Sequence, residues 1–134
     1  MLRTLITGVV LAACSAALAE ETVVTDEMRA MFAEVFKATT EPRTAMSMAI
    51  IKDSPDCRAG ATLALSDLDS GRCGIPDAIT TPNGVVASVA VADGVITVTG
   101  TSEVLGASYV LFPSGVTPPV IWTEGGTCKI MGLC

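Results

Sequence analysis

The sequence predicts an α+β domain. One N-terminal amphipathic helix packs on a four-stranded antiparallel sheet, and a C-terminal disulfide loop closes the chain. Three observations lead there. Apolar residues recur at helical spacing between Met28 and Phe36. From Val85 onward the period changes to two, and turn residues separate the alternating runs. Two cysteines, Cys128 and Cys134, stand at the end of the chain.

The helix comes first. Thr25 can cap it, and Asp26 and Glu27 then lie against the positive end of its dipole. Met28, Met31, Phe32, Val35 and Phe36 fall on one face, while Asp26, Ala30, Ala33, Glu34 and Lys37 suit water on the other. Pro42 bends the helix or starts a new one with Thr39 or Thr40 near its cap. From Arg43 to about Lys52 the pattern resumes: Met46 and Ile50 continue the first stripe, whereas Met48 and Ile51 project onto the back. Either the proline changes the phase, or a second apolar face appears there. In the second case Met48 and Ile51 are candidate contacts for a partner.

The stretch from Asp53 to Pro82 reads as irregular, with a short helix or strand at Ala61 to Leu68. A connection that long needs a reason, and a Cys57–Cys73 staple supplies one, worth roughly 3 kcal/mol for a loop of about 15 residues. Val85, Ala87, Val89 and Val91 then alternate with Val86, Ser88 and Ala90. Asp93-Gly94 signals a two-residue hairpin, and Val95 to Thr99 returns. Tyr109 to Phe112 is the third strand and Val120 to Thr123 the fourth. The sheet needs one face covered, and the Met/Phe helix is the available cover.

Met1-Leu2-Arg3, the mostly apolar Leu5 to Leu18 and Ala17-Leu18-Ala19 have the form of a cleavable export signal, residues 1–19, which leaves a domain of residues 20–134. Alternatively, Leu11-Ala12-Ala13-Cys14 looks like a bacterial lipobox, in which residues 1–13 are the signal and Cys14 becomes the lipidated N-terminus. Either processing leaves four cysteines, Cys57, Cys73, Cys128 and Cys134, which allow three pairings. Local closure favours Cys57–Cys73 and Cys128–Cys134. Disulfides and export together place the protein in the periplasm, secreted, or at the cell surface of a bacterium.

Composition narrows the chemistry. The formal net charge is −6, and removal of residues 1–19 leaves seven bases against fourteen acids. Such a chain gains nothing from phosphate neutralisation, so nucleic acid is not expected as a partner, and a membrane only if Cys14 is acylated. There is no histidine to activate a serine or hold a metal. Asp67-x-Asp69-x-Gly71 hints at a calcium loop, but Arg72 and Ala78 occupy the positions that should hold glycine and glutamate. Asp53 and Asp56 read as solvated turn carboxylates. No catalytic residue, metal site or cofactor is expected. Tyr109 and Trp122 lie on strands and are assigned first to the core, second to a binding surface.

The run Val85 to Thr101, VVASVAVADGVITVTGT, resembles the first sheet hairpin of Gram-negative type IV pilins. Ser108 to Trp122, SYVLFPSGVTPPVIW, resembles the next two strands of that family. Met28 through Ala49 looks like the solvent-side half of its spine helix, and Cys128 and Cys134 fall where it closes its terminal loop. The likeness covers residues 28–134, and the sequence departs from the family at the N-terminus, where the leader and apolar helix of a pilin are replaced by the export signal. The resemblance implies a non-enzymatic pilin-like structural or accessory protein of a type IV pilus or related secretion filament. One form is the head of a split pilin that docks on a separate spine, with a pilin spine or pilus assembly component as its protein partner. The alternative expectation is an exported or lipid-anchored binding module that recognises a surface ligand or regulates filament assembly.

Overall fold

The computed structural model describes residues 23–134; the expected signal peptide and Cys14 lie outside the described residues. Helix α1 (Asp26–Lys37) begins as its sequence requires. Thr25 is extended, and its Oγ1 accepts the Met28 N–H at 3.1 Å. Phe32 and Val35 are fully buried, and Met28, Met31 and Phe36 pack against the core around them.

Of the two outcomes expected at Pro42, a bend or a new helix, the chain takes the second: α1 stops and α2 (Thr40–Lys52) starts after a bend at Ala38 and Thr39. A continuous helix would set the Pro42 ring against the Ala38 carbonyl and leave that carbonyl without its donor. Thr39 takes the N-cap position but does not cap α2 with its side chain. Its N–H and its hydroxyl both donate backward to the Phe36 carbonyl, at 3.1 and 2.7 Å. The bend preserves the apolar stripe: Met46, Ala49 and Ile50 are buried with Phe32 and Val35. Asp53, in the left-handed region at φ 42°, ends the helix.

Residues 53–84 form a strap. No helix or strand spans Ala61 to Leu68; a single 3-10 turn, Leu65–Asp67, is all that forms, and another turn lies at Pro55–Cys57. Cys57 and Cys73 are joined, with their Cα atoms 5.2 Å apart. Leu63, Leu68 and Ile75 face inward, giving the strap its own share of the core.

The sheet is an antiparallel meander in the order β1 (Val86–Ala92), β2 (Val95–Gly100), β3 (Ser108–Pro113), β4 (Trp122–Gly125). Asp93 and Gly94 both have positive φ, 49° and 78°, the backbone that a two-residue hairpin turn with the twist of the strands demands. A register shift between Val86 and Ser88 interrupts the expected alternation at Ala87. Val89, Val91, Ile96, Val98, Tyr109 and Leu111 form the inner face, all buried. Their neighbours in the ladder, such as Ala90, Thr97 and Val110, form the outer face.

Strand β4 lies two residues later than expected. Pro118-Pro119 and Val120 belong to the connection, and pairing starts where the Ser114 N–H donates to the Ile121 carbonyl at 2.8 Å. It continues through Glu124 and Gly125, beyond the expected end at Thr123. The terminal segment is not a plain loop but a helical turn, α3 (Thr127–Met131), that buries Cys128 and Leu133. Gly126 makes the corner at φ 105°, where a Cβ would collide with the Ser108 carbonyl. Ser108 and Thr127 exchange side-chain to backbone bonds of 2.9 and 3.1 Å, and Cys128 is bonded to Cys134.

The two faces of the helical layer predict opposite mutational outcomes. Phe32→Ala should cost about 3–5 kcal/mol of unfolding free energy in a denaturant titration. Met48→Ala, on the exposed back of α2, should fall within about 0.5 kcal/mol of the parent.

Candidate functional site

Helical geometry places Met48 and Ile51 three residues apart on the same outward side of α2. They are 46% and 66% exposed, in contrast to their buried neighbours Met46 and Ile50. The sequence is thus correct that these two leave the main stripe. Ile51 also lines a shallow cleft of about 400 Å³ between the end of α2 and the β3–β4 connection, where Leu63, Val116 and Pro118 join it. The other residues around Met48 at helical spacing are Thr44, Ala45 and Lys52, and Asp53 lines the cleft beside Ile51, so the patch is flanked by one charge of each sign.

A second apolar surface was not foreseen. It surrounds a cleft of about 580 Å³ lined by Val24, Ser102, Leu105, Gly106 and Met131. Val23 and Ile130, next in sequence to the lining residues Val24 and Met131, are 70% and 90% exposed. The cleft exists because Leu105 and Gly106 are both left-handed, at φ 61° and 62°, as the chain turns from β2 into β3. Arg29 secures the other side: its Nε donates to the Gly132 carbonyl at 3.1 Å, tying α1 to the terminal turn. The signal for this surface was weak in the sequence. Its one signal in the sequence is Ile130-Met131, two adjacent apolar residues outside any alternating run.

The carboxylates of the calcium-like motif are turned to backbone amides. Asp67 is 4% exposed and accepts the Ala64 N–H at 2.9 Å and the Ala59 N–H at 3.1 Å. Those two bonds, Ala64 first, hold its pKa below the ordinary value; burial opposes them, and Arg72 adds a smaller attraction. Asp69 accepts the Asp93 N–H at 2.9 Å, so it pins the strap to the β1–β2 turn. Asp53 lies 3.7 Å from Arg58. Among the described residues, no three His, Cys, Asp or Glu side chains are gathered as a metal site would need.

Tyr109 is in the core and Trp122 is half-buried at the edge strand. The Tyr109 hydroxyl donates to Glu124 Oε1 at 2.7 Å. Burial, then the Glu124 hydrogen bond and charge, push the phenol up to about 12. A tyrosine so held stays neutral and acts as a fixed donor rather than a base or nucleophile. The sequence could show Tyr109 on a strand, but not that Glu124 lay on the adjacent one.

Both groups make pH a test. Asp67, with its pKa depressed, contributes stability that is complete above the ordinary carboxylate range and is lost as pH falls through its folded value. Asp67→Asn should therefore lower the thermal midpoint at neutral pH and flatten the acid limb of the stability–pH curve. Tyr109, with its pKa raised, contributes stability that is complete below about 10 and is lost as pH rises toward about 12. As the chain has one tyrosine, absorbance titration reads it directly. The folded protein should titrate near 12, and Glu124→Gln should bring the midpoint down.

In comparisons with known proteins, no family model matches the chain and no curated protein matches it.

Proposed function

We propose that this protein is a non-enzymatic, exported, pilin-like head that serves as a structural or accessory component of a type IV pilus or related secretion filament. The observation that carries the reading is the pairing of architecture with an unburied patch. A bent helix covers one face of a four-stranded antiparallel meander ending in a disulfide-closed turn, and the back of that helix leaves Met48 and Ile51 exposed. In this reading the back of α2 docks against the apolar helix of a separate pilin spine. Two apolar side chains on one helix face are the anchors of a helix-to-helix contact. The two disulfides suit the periplasm or cell surface, and among the described residues no helix is long and apolar enough to cross a membrane. The second reading, an exported binding module, is favoured by the apolar cleft around Leu105 and Met131, which could receive a small ligand.

Co-purification from the source bacterium decides between them. The parent protein should bring down a small pilin, and the double change Met48→Asp, Ile51→Asp should weaken that capture at least about tenfold, as loss of two apolar anchors would. Absence of any pilin, or capture untouched by the double change, counts against the filament reading.

A further inference from the structure

The two edges of the sheet are treated differently. The outward groups of β1 are met by the strap. Val89 exchanges bonds of 2.9 and 3.0 Å with Ile79, and Val86 bonds of 2.8 and 3.1 Å with Asn83. The Val91 carbonyl accepts the Ser70 N–H at 2.9 Å, and its N–H donates to Ser70 Oγ at 2.8 Å. Strand β4 has no such cover. The bond from Ser114 to the Ile121 carbonyl sets the phase of the β3–β4 ladder, so that Thr123 and Gly125 bond to β3. The N–H and C=O groups of Trp122 and Glu124 therefore point away from the sheet, and among the described residues none has a backbone partner.

We propose that this edge pairs with the same strand of a second copy, antiparallel about a two-fold axis at Thr123, and doubles the sheet. The spacing makes the edge self-complementary. With Thr123 opposite Thr123 of the second copy, each Trp122 faces a Glu124, and all four outward N–H groups meet outward carbonyls. The same register sets Ile121 opposite Gly125 of the second copy. Gly125 lies beneath the Phe112 ring, where a Cβ would come within 2.8 Å of Cε2. Ile121 and Phe112 are 67% and 44% exposed and share the outer face of the sheet. Pairing brings each Ile121 to the other copy's Phe112, so one register satisfies the backbone and covers both side chains.

Charge favours a second copy here more than elsewhere. The protein carries −6, so its copies repel through most surfaces. No residue from Ala107 to Thr123 is charged. The Glu124 carboxylate is already engaged by the Tyr109 hydroxyl, with Lys129 at 3.9 Å. The strand is only four residues long, and the contact is smaller than the roughly 800 Å² per partner of a standard interface. Association is therefore concentration-dependent. The inference does not rest on the filament reading.

Sedimentation velocity of the oxidised protein from about 1 μM to about 1 mM tests it. A rising dimer fraction is expected. Ile121→Lys, at an exposed position, should weaken the dimer at least tenfold and leave circular dichroism unchanged. Under mild oxidation Thr123→Cys should cross-link two copies, whereas Thr99→Cys, on the same face but in β2, should not. Three results overturn the proposal: a monomer throughout, which would leave the edge to some other extended chain; a dimer that Ile121→Lys does not weaken; or equal cross-linking at the two positions.

Discussion

The structure depends on one exchange of apolar surface, the stripe of α1 and α2 against the inner face of the sheet. Neither layer is stable alone. A helix of 12 or 13 residues is marginal in water, and a meander with one bare apolar face has nothing to keep that face dry. Phe32 makes the exchange concrete. It is wholly buried, and its ring meets Phe36 edge-on at 5.2 Å between centroids. Phe36 in turn meets Tyr109 at 4.6 Å, so an aromatic chain runs from α1 to β3. Pro42 fits this scheme because the bend it imposes lets Met46 and Ile50 stay on the buried side.

The strap follows from what that exchange leaves undone. Helices on one face cannot protect a sheet edge, and an exposed edge invites pairing with other chains. Residues 53–84 protect β1 with few regular elements of their own. Backbone donors in such a segment must be satisfied by something, and Asp67 satisfies two at once. The Cys57–Cys73 bond limits the freedom the strap would otherwise regain on unfolding. The Asp-x-Asp-x-Gly motif is thus an internal brace: its carboxylates accept backbone N–H groups of the strap and of the β1–β2 turn, and Arg72 lies 3.8 Å from Asp69.

Local rules made much of this legible and nonlocal geometry hid the rest. The Thr25 cap, the buried stripe and the Asp93-Gly94 turn follow from the chemistry of a few adjacent residues. So does the outward position of Met48 and Ile51, because helical phase survives the bend. The disulfide pairs followed from short loop closure. By contrast, the start of β4 was misread because Val120 and Ile121 have strand propensity, whereas the register is set by Ser114 across the hairpin. The last turn was missed because α3 is five residues long, too short for a periodic signal, and is held by the disulfide and by Ser108. The apolar cleft at Leu105 could not be anticipated, since it needs a leucine in a left-handed conformation that propensity disfavours.

The placement of charge decides what kind of contact the folded protein can make. Between Val85 and Gly100 the one charged residue is Asp93, which lies in the turn, and none occurs from Ala107 to Thr123. The outer face of the first three strands is therefore neutral, although the protein as a whole is acidic. Most acids sit instead on the outward sides of the helices, on the strap and at the turns; Asp67 is buried against backbone amides, and Glu124 lies on β4 bonded to Tyr109. Two partly apolar surfaces with little charge result: the back of α2 in the helical layer, flanked by Lys52, and the β4 side of the sheet layer, which includes Glu124. Met48 lies in the helical layer and Thr123 on the sheet edge, and the cleft beside Ile51 reaches Val116 and Pro118 of the β3–β4 connection. Under the two proposals above, a partner helix would meet the protein at α2 and a second copy at β4.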